Sequence, residues 1–528
     1  MLTRRDLLAS FLGAPFAAAC ARRVETPLPP GVIAGASADF GHRLRTERAP
    51  APTEWEAHDV VVIGSGIAGL AAAWRMRHAG LHDVLVLELE PSIGGTSRSG
   101  QSKVSAFPWG AHYVPAPNPE NKVLQRVLRE LGVYDGDQIA EQFLCRDPEE
   151  RVFYRGRWYE GLYLTAGASH DDLRQLHAFE RKVAEWVQWR DAKGRRAFTI
   201  PVAYASDDAE VTALDRMSMG EWLDAQQFTS PRLRWFVEYG CRDDYGTLLA
   251  DTSAWAGLFY FASRVVEPGV ESEPFITFPE GNGRLVAHLG QRIAARTHWL
   301  AMNVAPHEQG VDVTAMTPDG PRGLRAKQVV FAAPQFVAPY VIEPWRAAPP
   351  PHVRAFSYGS WLVANLTLRD RPRSTGFPLS WDNVLYDSPS LGYVVATHQR
   401  GIDYGPTVLT YYHALTDADP RKSRERLLSA GRDEWADVTL ADLGRAHPDL
   451  RTLTERLDIM RWGHAMIRPT PGFVWSAARR SAMQPYRGIH FAHSDLSAVA
   501  LFEEALYQGV RAAEEVLDVR GMESVTFL

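Results

Sequence analysis

The sequence predicts an α/β fold organised around a Rossmann-like unit, and three observations carry that expectation. The apolar run Asp59-Val60-Val61-Val62-Ile63 stops at Gly64-Ser65-Gly66-Ile67-Ala68-Gly69, and the alanine-rich stretch Leu70 to Trp74 follows. A second apolar run, Val84 to Leu87, ends at Glu88, 19 residues past Gly69. The chain has 528 residues, 45% of them apolar and 23% charged. That is too long for one core and ordinary for two or three soluble domains.

The first observation reads as strand, tight turn and helix. Gly64 permits the turn, Gly66 lets a pyrophosphate approach the helix N-terminus, and Gly69 lets helix and strand pack closely. Ser65, Ile67 and Ala68 complete the loop. Glu88 stands at the distance where such a unit places a carboxylate against a ribose hydroxyl pair. The pattern predicts a bound dinucleotide.

Ahead of this unit, Thr3-Arg4-Arg5-Asp6-Leu7-Leu8 is a twin-arginine signature, and Leu7 to Ala21 is a short apolar region with a small-residue end. Residues 1–20 read as an export signal, which directs a folded protein to the periplasm. Phe16-Ala17-Ala18-Ala19-Cys20 resembles a lipoprotein cleavage box, with Cys20 as a membrane tether. Residues 21–58, rich in Pro, Ala and Arg, read as a linker or surface arm. A net charge of −6 gives no basic footprint for nucleic acid. Cys145 and Cys241 could pair in an oxidising compartment. His490 and His493 lack further ligands at matching spacing, so no metal is expected. The 16 Trp suggest large apolar pockets or interfaces.

Further motifs follow in order. Gly94-Gly95-Thr96-Ser97-Arg98 comes six residues after Glu88, and Pro279-Glu280-Gly281-Asn282-Gly283-Arg284-Leu285 precedes a helical pattern. Val304 leads to Val311-Asp312-Val313, and Gln328-Val329-Val330-Phe331 ends at Ala332-Ala333-Pro334. Ile489-His490-Phe491-Ala492-His493-Ser494-Asp495 precedes the helical stretch Phe502 to Ala513. This set resembles the flavin amine oxidase family, which is related to phytoene desaturases and protoporphyrinogen oxidases. The resemblance implies FAD, bound by a three-segment domain over 59–115, 276–345 and 464–528. An inserted α+β substrate domain is expected at 116–275 and 346–463. It implies that Gly94, Gly95, Thr96, Ser97 and Arg98 meet the cofactor, that Gly110 and Ala111 pass its ring, and that the Val304 backbone meets the adenine. Asp495, in place of the family's Glu, is expected to accept hydrogen bonds from the ribityl chain or a phosphate-bridging water. A plain NAD domain lacks the Gly94-Gly95 and Asp495 motifs.

Within the insertion, Asn118-Pro119 reads as the start of a helix with Val123, Leu124, Val127, Leu128 and Leu131 inside, and Ser169 to Asp172 as a capping box. Trp361 to Leu368, Val394 to Thr397 and Val408 to His413 read as strands. The catalytic candidates are His112 and Tyr113, beside the expected flavin position, and His464, which enters the last FAD segment. Arg242-Asp243-Asp244-Tyr245 reads either as a solvated turn or as a pair of acids that hold a cationic amine. Thr96 stands where the family often has Arg, and Val363 stands at or near the place of a lysine that holds a water at the flavin. The leading expectation is an FAD-dependent oxidoreductase that takes a hydride from a small substrate, such as an amine or polyamine, and passes electrons to an acceptor the sequence does not name. The alternatives are a desaturase-like enzyme acting on a hydrophobic C–C bond and a non-catalytic scaffold.

Overall fold

The β-branched run before Gly64 forms the buried end of a longer strand, Trp55–Ile63, of which only Val60 to Ile63 are fully enclosed. In the computed structural model, which describes residues 27–265, 275–416 and 419–528, this strand lies between two parallel neighbours. Val84–Leu87 pairs on one side and residues 323–331 of the strand Gly320–Phe331 on the other. Ile489–Phe491 extends the parallel order beyond Phe331. Strands buried on both faces read as continuous apolar runs, which is the pattern of these segments. Leu300–His307 and Gly310–Thr317 add an antiparallel edge.

Two helices, Ile67–His78 and Phe502–Val519, cover this sheet and cross closely. A Cβ on Gly509 would lie 2.2 Å from the Ala68 carbonyl oxygen, and one on Gly69 would lie 1.9 Å from the Gly64 oxygen. Strand, turn and both helices therefore meet at separations that only glycine allows.

The second sheet has eight strands and is centred on Tyr358–Leu368, Thr407–Ala414 and Thr454–Ile467. Every residue of Tyr358–Leu368 is buried, and the two faces serve different ends. Leu362, Ala364, Leu366 and Leu368 pack beneath Leu427, Trp435 and Leu440 of a helical layer. Trp361 and Val363 point the other way, with Tyr412 and Trp381, toward the space between the two sheets.

Several local expectations change. The segment 21–58 is not a plain tether over its described part. Ile33–Gly35 adds a parallel edge strand beside Ile459 and Met460, and Ala38–Thr46 is a helix. The strand leading to Gly64 already begins at Trp55. The helix after Asn118 runs Lys122–Glu130, and its cap is Asn121, whose side chain accepts from Leu124 N. Asn118 instead donates to the Ser263 carbonyl. The Ser169–Asp172 capping box forms. Cys145 and Cys241 are free thiols; Cys241 sits in the core, where burial pushes its thiol up to about 12. The arginine pair of the export signature and Cys20 lie outside the described residues.

Candidate active site

A cavity of about 1050 Å³ runs between the two sheets. At one end it is lined by Gly64, Gly66, Ile67 and Ala68 of the turn, by Glu88, by Gly94 to Ser97, and by Gly110 and Ala111. The helix that starts at Ile67 has Gly66 as its N-cap, and no side chain caps its first turn. Its free N–H groups therefore face the cavity, which is the arrangement that holds a pyrophosphate. A Cβ on Gly66 would meet nothing within 4 Å, so this glycine is open toward the ligand and not toward protein. Glu88 is held by Ser65, whose amide lies 3.0 Å from Oε2 and whose hydroxyl also donates there, while Oε1 takes the Glu90 amide at 2.8 Å. Burial raises its pKa. These features fit a dinucleotide with a ribose diol at Glu88.

Five of the expected cofactor contacts do not line the cavity. Ser65 is turned to Glu88, and Gly69 is consumed by packing against Gly64. Arg98 is buried, 3.3 Å from Glu90 and 5.3 Å from the Trp462 ring centroid. Val304 is fully buried in register with Val313, and the cavity wall is instead the start of the same strand, Trp299 to Ala301. Asp495 spends its carboxylate on protein. It accepts from Gln335 N at 2.9 Å and Tyr358 Oη at 2.6 Å, and pairs with His493 Nδ1 at 2.9 Å. Burial alone would raise its pKa, but the His493 and Tyr358 contacts outweigh that and lower it. It ties the final strand to the second sheet rather than reaching into the cavity.

The other end of the cavity is an aromatic box with acids behind it. His112 stacks on Tyr412 at 4.9 Å and meets Trp381 at 5.4 Å. Tyr412 Oη donates to the Gly110 carbonyl at 2.8 Å, and Trp462 Nε1 to the Trp109 carbonyl at 2.7 Å. Burial pulls His112 down to about 4. His464 lies against Phe336 at 3.9 Å, and burial, with Arg424 and Arg45 adding to it, pulls it down to about 3. Burial raises Tyr113 well above its ordinary value. None of the three candidates is thus matched to accept a proton near neutral pH. Val363 does line the cavity, buried and without charge.

The acids are better placed. The stretch around Asp243 is no solvated turn but the end of the buried helix Pro231–Tyr245. Among the described residues, Asp243, Asp244, Asp382 and Glu503 line this end together with one guanidinium, that of Arg264. Arg264 is committed to Asp244, with its Nη2 donating to both carboxylate oxygens at 2.9 and 2.8 Å. Tyr239 Oη donates to Asp382 Oδ2 at 2.9 Å. Burial pushes Asp382 and Glu503 up to about 7, and burial with Asp244 and Asp382 nearby raises Asp243. Sequence reasoning noticed Asp243 and Asp244 but not Asp382, Glu503 or Arg264, which come from three other segments.

Comparison with known proteins gives the family. The family model for flavin-containing amine oxidoreductases matches residues 67–517. The chain belongs to that family. It is an FAD-dependent oxidoreductase. AofH of Mycobacterium tuberculosis, which carries the name of a flavin-containing monoamine oxidase, is 25% identical over 505 residues, covering 90% of this chain and 99% of that protein. A solved putrescine oxidase covers 88% of this chain and all of its own, with a TM-score of 0.66 at 16% identity. A fatty acid isomerase from P. acnes covers 87% of this chain and 98% of its own, with a TM-score of 0.62 at 14% identity. The shared fold therefore spans different substrates, and the substrate must be argued from the site.

Proposed function

We propose that this flavoenzyme oxidises a cationic amine. The observation that carries the reading is the charge balance behind the aromatic box: among the described residues, four carboxylates line that end of the cavity, and the one guanidinium there is spent on one of them. Buried carboxylates without a cation are costly unless they are neutral or meet one. An alkylammonium group supplies that charge, and the faces of Trp361 and Tyr412 suit both it and its apolar body.

When bound, FAD would supply the acceptor for one hydride, which carries the two electrons of the oxidation. The rest falls to the chain. An amine gives up a hydride from its α-carbon only as the neutral base, because the nitrogen lone pair must form the C=N bond. Asp382 or Asp243, with pKa values raised toward neutrality, takes the ammonium proton on entry. Tyr239 holds the Asp382 carboxylate in place. The C–H bonding pair then leaves as hydride, the lone pair closes the C=N bond, and the protonated imine departs to hydrolyse in water. The aromatic walls exclude water during this step.

Anaerobic mixing with alkylamines, polyamines, amino acids and hydrophobic polyenes tests the reading. Alkylamines or polyamines should bleach the oxidised flavin band. Bleaching by polyenes alone overturns the reading in favour of C–C desaturation.

We also propose twin-arginine export to the periplasm, supported by Arg4-Arg5 and the apolar run to Ala21, with Cys20 as a lipid anchor. Cell fractionation and the intact mass of the mature protein test both. An unprocessed N-terminus in the cytoplasm would reject them.

A further inference from the structure

A second charged feature lies at the mouth of the same cavity and has the opposite sign. Arg45 and His42 come from the arm helix Ala38–Thr46, Arg421 and Arg424 from the helix Pro420–Ser429, and Arg461 and His464 from the long strand Thr454–Ile467. All six line the cavity. Among the described residues, none of the four guanidinium groups forms an ion pair. Arg424 Nη1 donates to the Gly463 carbonyl at 3.0 Å, and Arg461 Nη1 to the Leu428 carbonyl at 2.8 Å. The charges crowd one another: His42 and His464 are both pulled down by burial first and then by neighbouring arginines. Arg424 is lowered by burial and by Arg45 and Arg421. Glu425 also lines the rim, and Asp39 and Asp419 lie nearby, yet among the described residues no carboxylate bridges the guanidinium groups.

The arm is anchored on the dinucleotide side. Ser37, the residue before its helix, gives its amide to Glu90 Oε1 at 2.8 Å and its hydroxyl to Oε2 at 3.0 Å. Glu90 is two residues from the ribose-side Glu88 and donates its own amide to it. The arm helix, whose Ala38, Gly41, His42, Leu44 and Arg45 line the cavity, is thus held beside the dinucleotide end. Like charges brought together from three elements repel unless an anion sits between them.

We infer that these arginines form an anion-binding rim that takes a phosphate or carboxylate group at the mouth of the cavity. The anion comes either from the pyrophosphate of the bound dinucleotide or from a separate anionic molecule entering over it. Guanidinium forks suit both oxyanions.

The test uses the purified holoenzyme and the double variant R421Q/R424Q, with R421K/R424K as the charge-retaining control. FAD release on dilution is followed by flavin fluorescence over a range of NaCl concentrations, and melting is followed with and without inorganic pyrophosphate or acetate. A rim that holds the dinucleotide gives release about tenfold faster in the Gln variant. Salt dependence then appears in the wild type and flattens in the variant, and the Lys variant recovers most of the retention. A rim for a separate anion gives unchanged FAD release, with stabilisation by added pyrophosphate or acetate in the wild type and none in the Gln variant. Equal FAD release together with equal anion response in all three proteins overturns the inference.

Discussion

The two ends of the cavity are built by different means. The dinucleotide end is made of backbone: glycines at 64, 66, 94 and 95, an uncapped helix start, and one carboxylate held by its neighbours. The amine end is made of side-chain charge collected from residues 243–244, 264, 382 and 503. The first depends on the absence of atoms and the second on the presence of charge. Substitutions should therefore fail differently at the two ends.

The largest effect is expected at the amine end. Asp244→Ala strands Arg264 as a buried cation and should destabilise the protein by about 3–5 kcal/mol. Denaturant unfolding of the FAD-loaded protein measures this, and a loss below about 1 kcal/mol would mean that the pair is wet. At the other end, Gly69→Ala places a Cβ 1.9 Å from the Gly64 oxygen. The gain in helix propensity, about 1 kcal/mol, is smaller than the strain, about 1–3 kcal/mol or more. Net destabilisation should follow, with FAD lost as the turn shifts. Gly66→Ala sharpens the contrast, because its Cβ meets no protein atom. That variant should keep its apo-protein melting temperature while FAD affinity falls, and an unchanged affinity would move the pyrophosphate away from this helix start.

Catalysis comes next in size. Asp382→Asn keeps the hydrogen-bonding shape beside Tyr239 but removes a charge. It should lower kcat/KM for an amine by roughly 10- to 150-fold, the worth of about 1.5–3 kcal/mol for a charged hydrogen bond. Stability should respond to pH in the same region. Asp382 and Glu503 sit at about 7 in the folded protein, against about 4 for carboxylates in an unfolded chain. Between those values the folded state holds protons that the unfolded state has released, so this contribution is complete below about pH 4 and is lost as pH rises toward 7. Asp382→Asn should flatten the fall in melting temperature between pH 5 and 7. A bound alkylamine should oppose the fall in the wild type, because it favours the ionised carboxylates.

The contrast also explains what the sequence could and could not disclose. A turn such as Gly64 to Gly69 is local: its glycines, the preceding strand and Glu88 fall within one short stretch, so their meeting follows from chain geometry. The run Trp361 to Leu368 is legible as a strand, but which face meets the cavity depends on the helices after Asp419. Asp382 and Glu503 carry no local signature. Asp382 follows Trp381 in an ordinary strand and Glu503 opens an amphipathic helix, and only the fold brings them to Asp243. The expected contacts that fall outside the cavity lining have the same cause. Val304 and Asp495 were assigned by family position, but Val304 faces Val313 and Asp495 is spent on Tyr358, Gln335 and His493.

The smallest expected effect probes the seam between the two ends. Tyr412 joins them: its hydroxyl donates to Gly110 on the dinucleotide side, and its ring stacks on His112 in the aromatic box. Tyr412→Phe keeps the ring and removes one hydrogen bond, so the stability loss should be about 1 kcal/mol. If charge governs amine binding, kcat/KM should change by less than about fivefold, since neither the carboxylates nor the stacking face is altered. A loss as large as that of Asp382→Asn would transfer the binding role from the acids to the aromatic wall, and the contrast between a backbone end and a charged end would no longer describe this cavity.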